Sequence, residues 1–188
     1  MQRTILAGPD LGSALAELRG WLGVTRDAEN ALLTGLLGAS CEACEAFTGI
    51  VPLALECESI LPVVKNWQGI AAQPVQAVLG MEGLPADGAR FVLASDAWAT
   101  ELGADGTACV RVVRPGSAGR VAVRYIAGLA ADWESLPAGL KHGILRLAAH
   151  HYRSRGNGTD GEVAATPRAA PPAAIAALWR PWRIMRIA

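Results

Sequence analysis

Residues 27–49, DAENALLTGLLGASCEACEAFTG, carry the clearest structural signal of the sequence. Acidic residues open the stretch, where the helix dipole favours negative charge, and Gly49 closes it, where a left-handed residue ends many helices. Between these ends, apolar side chains recur every three or four residues: Leu33, Leu37, Cys41, Cys44 and Phe47 or Thr48. The stretch therefore predicts an amphipathic helix over residues 26–48 whose buried face includes two cysteines.

Cys41 and Cys44 form a C-x-x-C motif, the spacing of redox dithiols and of half a zinc site. A redox pair needs its first cysteine at the N-terminus of a helix, whereas these two lie late in the predicted helix. A zinc site needs two further ligands, and Cys57 and Cys109 stand alone. We interpret Cys41 and Cys44 as small buried side chains, and rank a thiol or metal enzyme last among the alternatives.

Two further segments have helical periodicity. Residues 10–23 repeat leucine at helical spacing, and residues 137–155 begin with a proline suited to a first helical turn. Residues 51–128 instead contain short β-prone runs separated by Pro, Gly and Asp, with a hairpin turn expected at residues 84–89. The sequence predicts an α+β core domain over residues 1–155, in which a bundle of helices packs with a small antiparallel β-sheet.

The chain has no net formal charge, but its charges are unevenly distributed. Residues 1–60 contain three Arg and eight Asp or Glu, whereas residues 141–188 contain eight Lys or Arg and two acids. This polarity suits a subunit that stacks head-to-tail on other proteins, or one whose basic end lies near nucleic acid. No apolar run reaches the roughly 18 residues of a membrane span, and no secretion signal is evident, so we expect a soluble protein.

The helix predicted over residues 137–155 carries one basic stripe, formed by His142, Arg146, His150 and Arg153. Metal ligands on a helix pair at a spacing of three or four residues, whereas the two histidines are eight apart with an arginine between them. We therefore expect this stripe to face a neighbouring subunit or a channel. The alternative is a DNA-binding or regulatory module that uses this helix.

The C-terminal residues combine aromatic, apolar and basic side chains. Residues 156–173 contain mainly small residues and predict a flexible linker or extended arm. Residues 174–188 follow as an expected partner-docking segment, since Trp and Arg often anchor protein interfaces. Its predicted contacts are Trp179, Arg180, Trp182, Arg183, Ile184 and Arg186. The alternative is a terminal element packed on its own domain.

Catalytic motifs are not evident. The sequence contains no Ser-His-Asp spacing, no P-loop and no G-x-G-x-x-G, and its acidic residues are scattered singly. We therefore expect no enzyme activity, no cofactor and no metal.

The order of these elements resembles the head-tail connector, or adaptor, proteins of long-tailed phages and of phage-derived gene transfer agents. The opening stretch matches the family's acidic start, paired leucines, Glu and closing Thr-Gly at Asp27, Leu32, Leu33, Glu45, Thr48 and Gly49. PVQAV, VAVRYIAGL and LPAGLKHGILRLAAHHYRSRG follow in the family's order, the last ending in the matched Tyr152 and Arg155. The family's "LLxPYR" ending is matched at Leu178, Pro181, Trp182 and Arg183.

This resemblance implies a non-enzymatic subunit of a ring, commonly of twelve copies, which attaches beneath the capsid portal and extends the DNA channel. The implied partners are the portal protein, through the C-terminal arm, a tail-side neck protein (a head completion or stopper protein), and further copies of the chain. DNA would pass through without sequence-specific binding. The implied location is the neck of a virion or virion-like particle assembled in the bacterial cytoplasm, with no membrane contact.

Overall fold

The computed structural model describes residues 3–156 and 171–184. These residues form two compact units. We call residues 3–9 and 54–129 the sheet unit, and residues 10–53, 130–156 and 171–184 the helical unit. The predicted α+β fold class is confirmed.

The sheet unit contains antiparallel strands in two sheets. The strands are β1 (Arg3–Ala7), β2 (Leu55–Pro62), β3 (Gln68–Gly69), β4 (Val75–Pro85), β5 (Phe91–Val92), β6 (Trp98–Leu102), β7 (Ala108–Val112) and β8 (Ala118–Ala127). Within the described residues, one sheet has the order β1-β2-β8-β4-β5 and the other β3-β7-β6. β4 and β5 pair across residues 84–89, which confirms the expected hairpin turn.

Strand β8 lies in the middle of the larger sheet, between β2 and β4. Val121, Val123 and Tyr125 alternate along it and are fully buried. The hydroxyl of Tyr125 is 2.9 Å from that of Ser59 on β2, so the polar group of this buried tyrosine has a hydrogen-bond partner. The period-two pattern of the sequence therefore marks the buried face of this strand.

The helical unit contains the helices and their flanking turns. Its elements are α1 (Gly12–Leu22), a 3₁₀ turn (Asp27–Glu29), α2 (Asn30–Thr48), α3 (Ala138–Gly156), α4 (Ala173–Trp179) and a second 3₁₀ turn (Arg180–Trp182). Gly23 and Gly49 end α1 and α2 in the left-handed conformation, with φ of 70° and 80°. None of the helices described here is long and apolar enough to cross a membrane.

Strand β1 and helix α4 are among the elements that the sequence patterns did not predict. Strand β1 is short and its side chains are mostly exposed, so its sequence lacks the alternating apolar pattern that predicts a strand. Residues 173–179, which span the boundary between the predicted linker and the predicted docking segment, form helix α4, because Ile175 and Trp179, one helical turn apart, both become buried. The larger part of the predicted linker lies outside the described residues.

Candidate partner-binding surfaces

Cys41 and Cys44 belong to the core of the helical unit. Both are buried on the face of α2 that also buries Leu33 and Leu37, which confirms the interpretation made from their spacing. Burial is the main reason that the pKa of each thiol rises to about 12, so both stay protonated at neutral pH. No group of three or more His, Cys, Asp or Glu in the described residues could hold a metal ion.

Helix α4 packs closely on α3 at a glycine. A Cβ added to Gly143 would lie 2.1 Å from Nε1 of Trp179, so only glycine accommodates the indole at this distance. That Nε1 donates a hydrogen bond to the backbone oxygen of Leu140 at 3.4 Å, and the ring of Phe47 lies 6.1 Å away between centroids. Trp179 has no exposed surface. In this conformation it cannot contact a partner, which corrects its place among the predicted docking residues.

The residues after Trp179 remain on the surface. Arg180 and Arg183 are exposed, Trp182 is half-buried, and Ile184 is 37% exposed. We call these four residues the C-terminal surface. Arg186, which was predicted to belong to it, lies outside the described residues.

The C-terminal surface is held in place from both of its ends. Trp179 fixes its start, and the amide of Ile184 donates a hydrogen bond of 2.8 Å to the oxygen of Thr48 at the end of α2. The guanidinium of Arg183 lies 5.6 Å from the centroid of the Phe47 ring, a cation–π distance. The two arginines are therefore presented from an ordered, packed element and need little reorganisation to bind.

The basic stripe of α3 is exposed along its whole length. An open pocket with a volume of about 660 Å³ lies along this stripe, and we call it the α3 groove. It is lined by His142, Arg146, His150 and Arg153. Ala149 and Ser154 of α3 also line the groove, and its other walls come from Trp21 of α1 and from Pro172, Ala174 and Ile175 in and just before α4. The indole of Trp21 is tilted against the imidazole of His142, with centroids 5.2 Å apart.

Among the described residues, the arginines of the α3 groove are not neutralised by a nearby carboxylate. No carboxylate lines it, and neither Arg146 nor Arg153 has a carboxylate partner among the described residues. Arg19 in the same unit differs, since its guanidinium pairs with Asp27 at 2.8 Å. The groove can therefore accept an anionic group without first breaking an ion pair in this part of the chain.

The sequence predicts the basic stripe of α3 but not the groove that contains it. His142, Arg146, His150 and Arg153 share one helical face, which spacing alone reveals. Trp21 and the α4 wall join them only through packing of α1 and α4 on α3. The only earlier signal for Trp21 was its position beside the leucine stripe of α1.

Comparisons with known proteins locate similar folds. No family model matches the chain, and no curated protein matches its sequence. Three solved structures match all of the chain and 98% of their own chains. They are the neck of an empty gene transfer agent (GTA) particle computed with C6 symmetry (24% identity, TM-score 0.74), the virion of a native GTA particle (25%, 0.70) and the neck of a native GTA particle computed with C12 symmetry (25%, 0.72). The chain is thus similar over its full length to components of such particles.

Proposed function

We propose that the chain is a non-enzymatic structural subunit of the neck of a gene transfer agent or phage particle. The observation that carries this proposal is the similarity to chains of two GTA necks and of a GTA virion, which covers the whole chain at TM-scores of 0.70 to 0.74. A match of this extent includes both the sheet unit and the helical unit. It does not favour the alternative of a DNA-binding regulatory module.

Within the neck, the chain forms a ring, with twelve copies as the expected number. The similar necks were computed with C6 and C12 symmetry, both of which a twelve-membered ring satisfies. A ring needs heterologous contacts, in which one surface of a subunit binds a different surface of the next. A neutral chain whose acidic and basic residues are concentrated in different parts suits such contacts.

The ring joins the portal to the tail-side neck protein, and the C-terminal surface contacts the portal. Arg180 and Arg183 are exposed cations on an ordered element, and Trp182 offers a half-buried aromatic face between them. Arg and Trp are enriched among the residues that dominate interface energies. Trp179 has a different role here, since it anchors the surface from beneath.

The DNA channel continues through this ring without sequence-specific contacts. Each phosphate that a channel retains adds affinity through counterion release, so a passage that DNA must leave should hold few unpaired cations. We therefore assign Arg146 and Arg153 to protein contacts and not to the channel wall.

The test is a charge-removal variant of the C-terminal surface, Arg180→Ala with Arg183→Ala, made in the strain that encodes the chain. We expect DNA-filled heads that lack both tails and the variant chain, as measured by electron microscopy and mass spectrometry of purified heads. Arg120→Ala, which removes an exposed arginine of β8, is the matched control and should give tailed particles. Normal amounts of the double variant on heads would contradict the portal contact.

A further inference from the structure

Folding of an isolated subunit does not require the α3 groove. The groove places two arginines and two histidines, all exposed, along about three turns of one helix. A cleft lined by one sign of charge concentrates the field that attracts an anionic partner. The partner's class can be inferred from the charges elsewhere in the chain.

The charge of the surrounding protein favours a carboxylate over DNA. The described residues of the helical unit contain eight carboxylates and eight Lys or Arg side chains, and the whole chain has a pI of about 6.8. Nucleic-acid-binding domains are usually basic as a whole, with a pI above about 9. A local cationic groove in a neutral unit suits recognition of an acidic protein surface instead.

A matching surface lies on helix α2 of the same chain. Its exposed residues carry small side chains and one carboxylate: Ala31, Thr34, Gly35, Ala39, Glu42 and Ala46. We call this the α2 outer face. A Cβ added to Gly35 would meet no atom within 4 Å, so the face is open.

Glu42 is an uncompensated carboxylate. Within the described helical unit, Asp27 pairs with Arg19, Glu17 accepts a hydrogen bond from Trp133, and Glu29 accepts one from Tyr152. Glu42 is exposed and has no such partner among the described residues. The carboxylate of Glu134 also has no such partner among the described residues. The backbone oxygen of Glu134 is, however, 3.5 Å from the ammonium of Lys141, so a cation already lies nearby.

We propose that the α3 groove of one copy receives the α2 outer face of the next copy, with Glu42 directed at Arg146. The inference rests on the proposed ring and names one of its contacts. The contact is heterologous, since the two surfaces differ and each copy carries both. The small side chains of the α2 outer face let that helix approach closely, and Trp21 supplies a partly exposed aromatic wall to the groove.

Cross-linking tests this geometry in assembled particles. A chain carrying Glu42→Cys and His150→Cys, treated with a short bismaleimide in purified particles, should give a ladder of multimers on a denaturing gel. The wild-type chain and each single variant are the controls, because they retain the four native cysteines. Absence of a ladder from a variant that is present in the neck would overturn the contact and leave the neck assignment intact. Absence of the wild-type chain from particles would instead overturn the proposed function.

A charge exchange tests the pairing itself. Glu42→Arg and Arg146→Glu should each reduce incorporation into particles by about tenfold, as expected for reversal of one charge at an interface. Combining them should restore incorporation to within about threefold of wild type, because the pair is re-formed with its signs exchanged. Unchanged thermal unfolding of each purified single variant controls for folding.

The exchange also identifies the competing ligand. If the double variant fails to recover, Glu42 and Arg146 do not pair and the proposal is wrong. If Arg146→Glu abolishes a salt-sensitive gel shift with DNA that Glu42→Arg leaves unchanged, the groove binds phosphate and the proposal is likewise wrong.

Discussion

The indole of Trp179 lies directly against Gly143, where an added Cβ would come within 2.1 Å of Nε1. This relationship joins helix α4 to helix α3 and determines where the following residues lie. A glycine in the interior of a helix lowers helix stability, so its presence here reflects the space that the indole occupies. The position of the C-terminal surface therefore depends on a contact between two residues 36 positions apart in the sequence.

Gly143→Ala should destabilise the protein by about 2 kcal/mol, because the new methyl group overlaps the indole and forces α4 outward. Gly20→Ala is the matched control: it also lies in a helix, but its Cβ would meet no atom within 4 Å. It should stabilise the protein by about 0.5–1 kcal/mol through helix propensity. Urea unfolding of the two variants measures both effects, and equal stabilities would contradict the described packing.

Substitution of Trp179 should mainly reduce stability, whereas substitution of Trp182 should mainly reduce partner binding. Trp179→Ala removes a fully buried side chain and should lower the free energy of unfolding by about 3–5 kcal/mol. Trp182→Ala removes a half-buried ring and should lower it by about 1 kcal/mol, while strongly reducing binding to purified portal. Thermal unfolding and a pull-down assay separate these outcomes. A Trp179→Ala variant with wild-type stability would show that α4 does not pack as described.

This contrast also limits deletion experiments. Removing residues 172–188 would delete Ile175 and Trp179 and expose the side of α3 that they cover. Loss of tails in such a truncation would report unfolding as well as a lost partner contact. Substitutions confined to the C-terminal surface avoid this ambiguity.

The thiols should differ in their reactivity. Cys41, Cys44 and Cys57 are buried, whereas Cys109 is partly exposed. At pH 8 a disulfide reagent such as DTNB should react rapidly with one thiol per chain and with the other three only after denaturation. Cys109→Ala should abolish the rapid phase. A rapid phase that persists in this variant would place another cysteine at the surface.

Stability should fall in alkaline solution partly because of Cys41 and Cys44. Burial raises the pKa of each thiol to about 12, above the ordinary value of 9.0. Between about pH 9 and 12 the unfolded chain loses these protons while the folded chain keeps them, so the free energy of unfolding decreases as pH rises. At pH 10 the loss should be about 1 kcal/mol per thiol.

The variant Cys41→Ala with Cys44→Ala isolates this effect from other groups that titrate in the same range. It should be less stable than wild type at pH 7, through lost packing, but should lose less stability between pH 7 and pH 10. Particle assembly should persist, since neither side chain is exposed. Parallel pH profiles for the two proteins would contradict the raised pKa values.

Much of the helical unit can be predicted from the sequence because its signals are local. The leucine face of α2 and the terminal Gly49 both act within one helix, and both occur as predicted. The start of α2 is less regular, because a 3₁₀ turn precedes it and Arg19 binds both the oxygen of Thr25 and the carboxylate of Asp27. Such a bridge between consecutive helices has no periodic signature.

The surfaces depend on contacts that periodicity does not reveal. Composition identified residues 174–188 as unusual, but only packing distinguishes the buried Trp179 from the half-buried Trp182. Likewise the stripe of α3 is visible in the sequence, whereas Trp21 joins it from α1. Sequence patterns predict which face of a helix is polar, and tertiary structure decides what lies opposite that face.

The neck assignment is tested most directly by cryo-electron microscopy of particles purified from the strain that encodes the chain. We expect a ring between portal and tail whose repeating unit fits the described helices and strands, with the C-terminal surface on its portal side. A neck fully explained by other chains, with this chain absent from the particles by mass spectrometry, would contradict it.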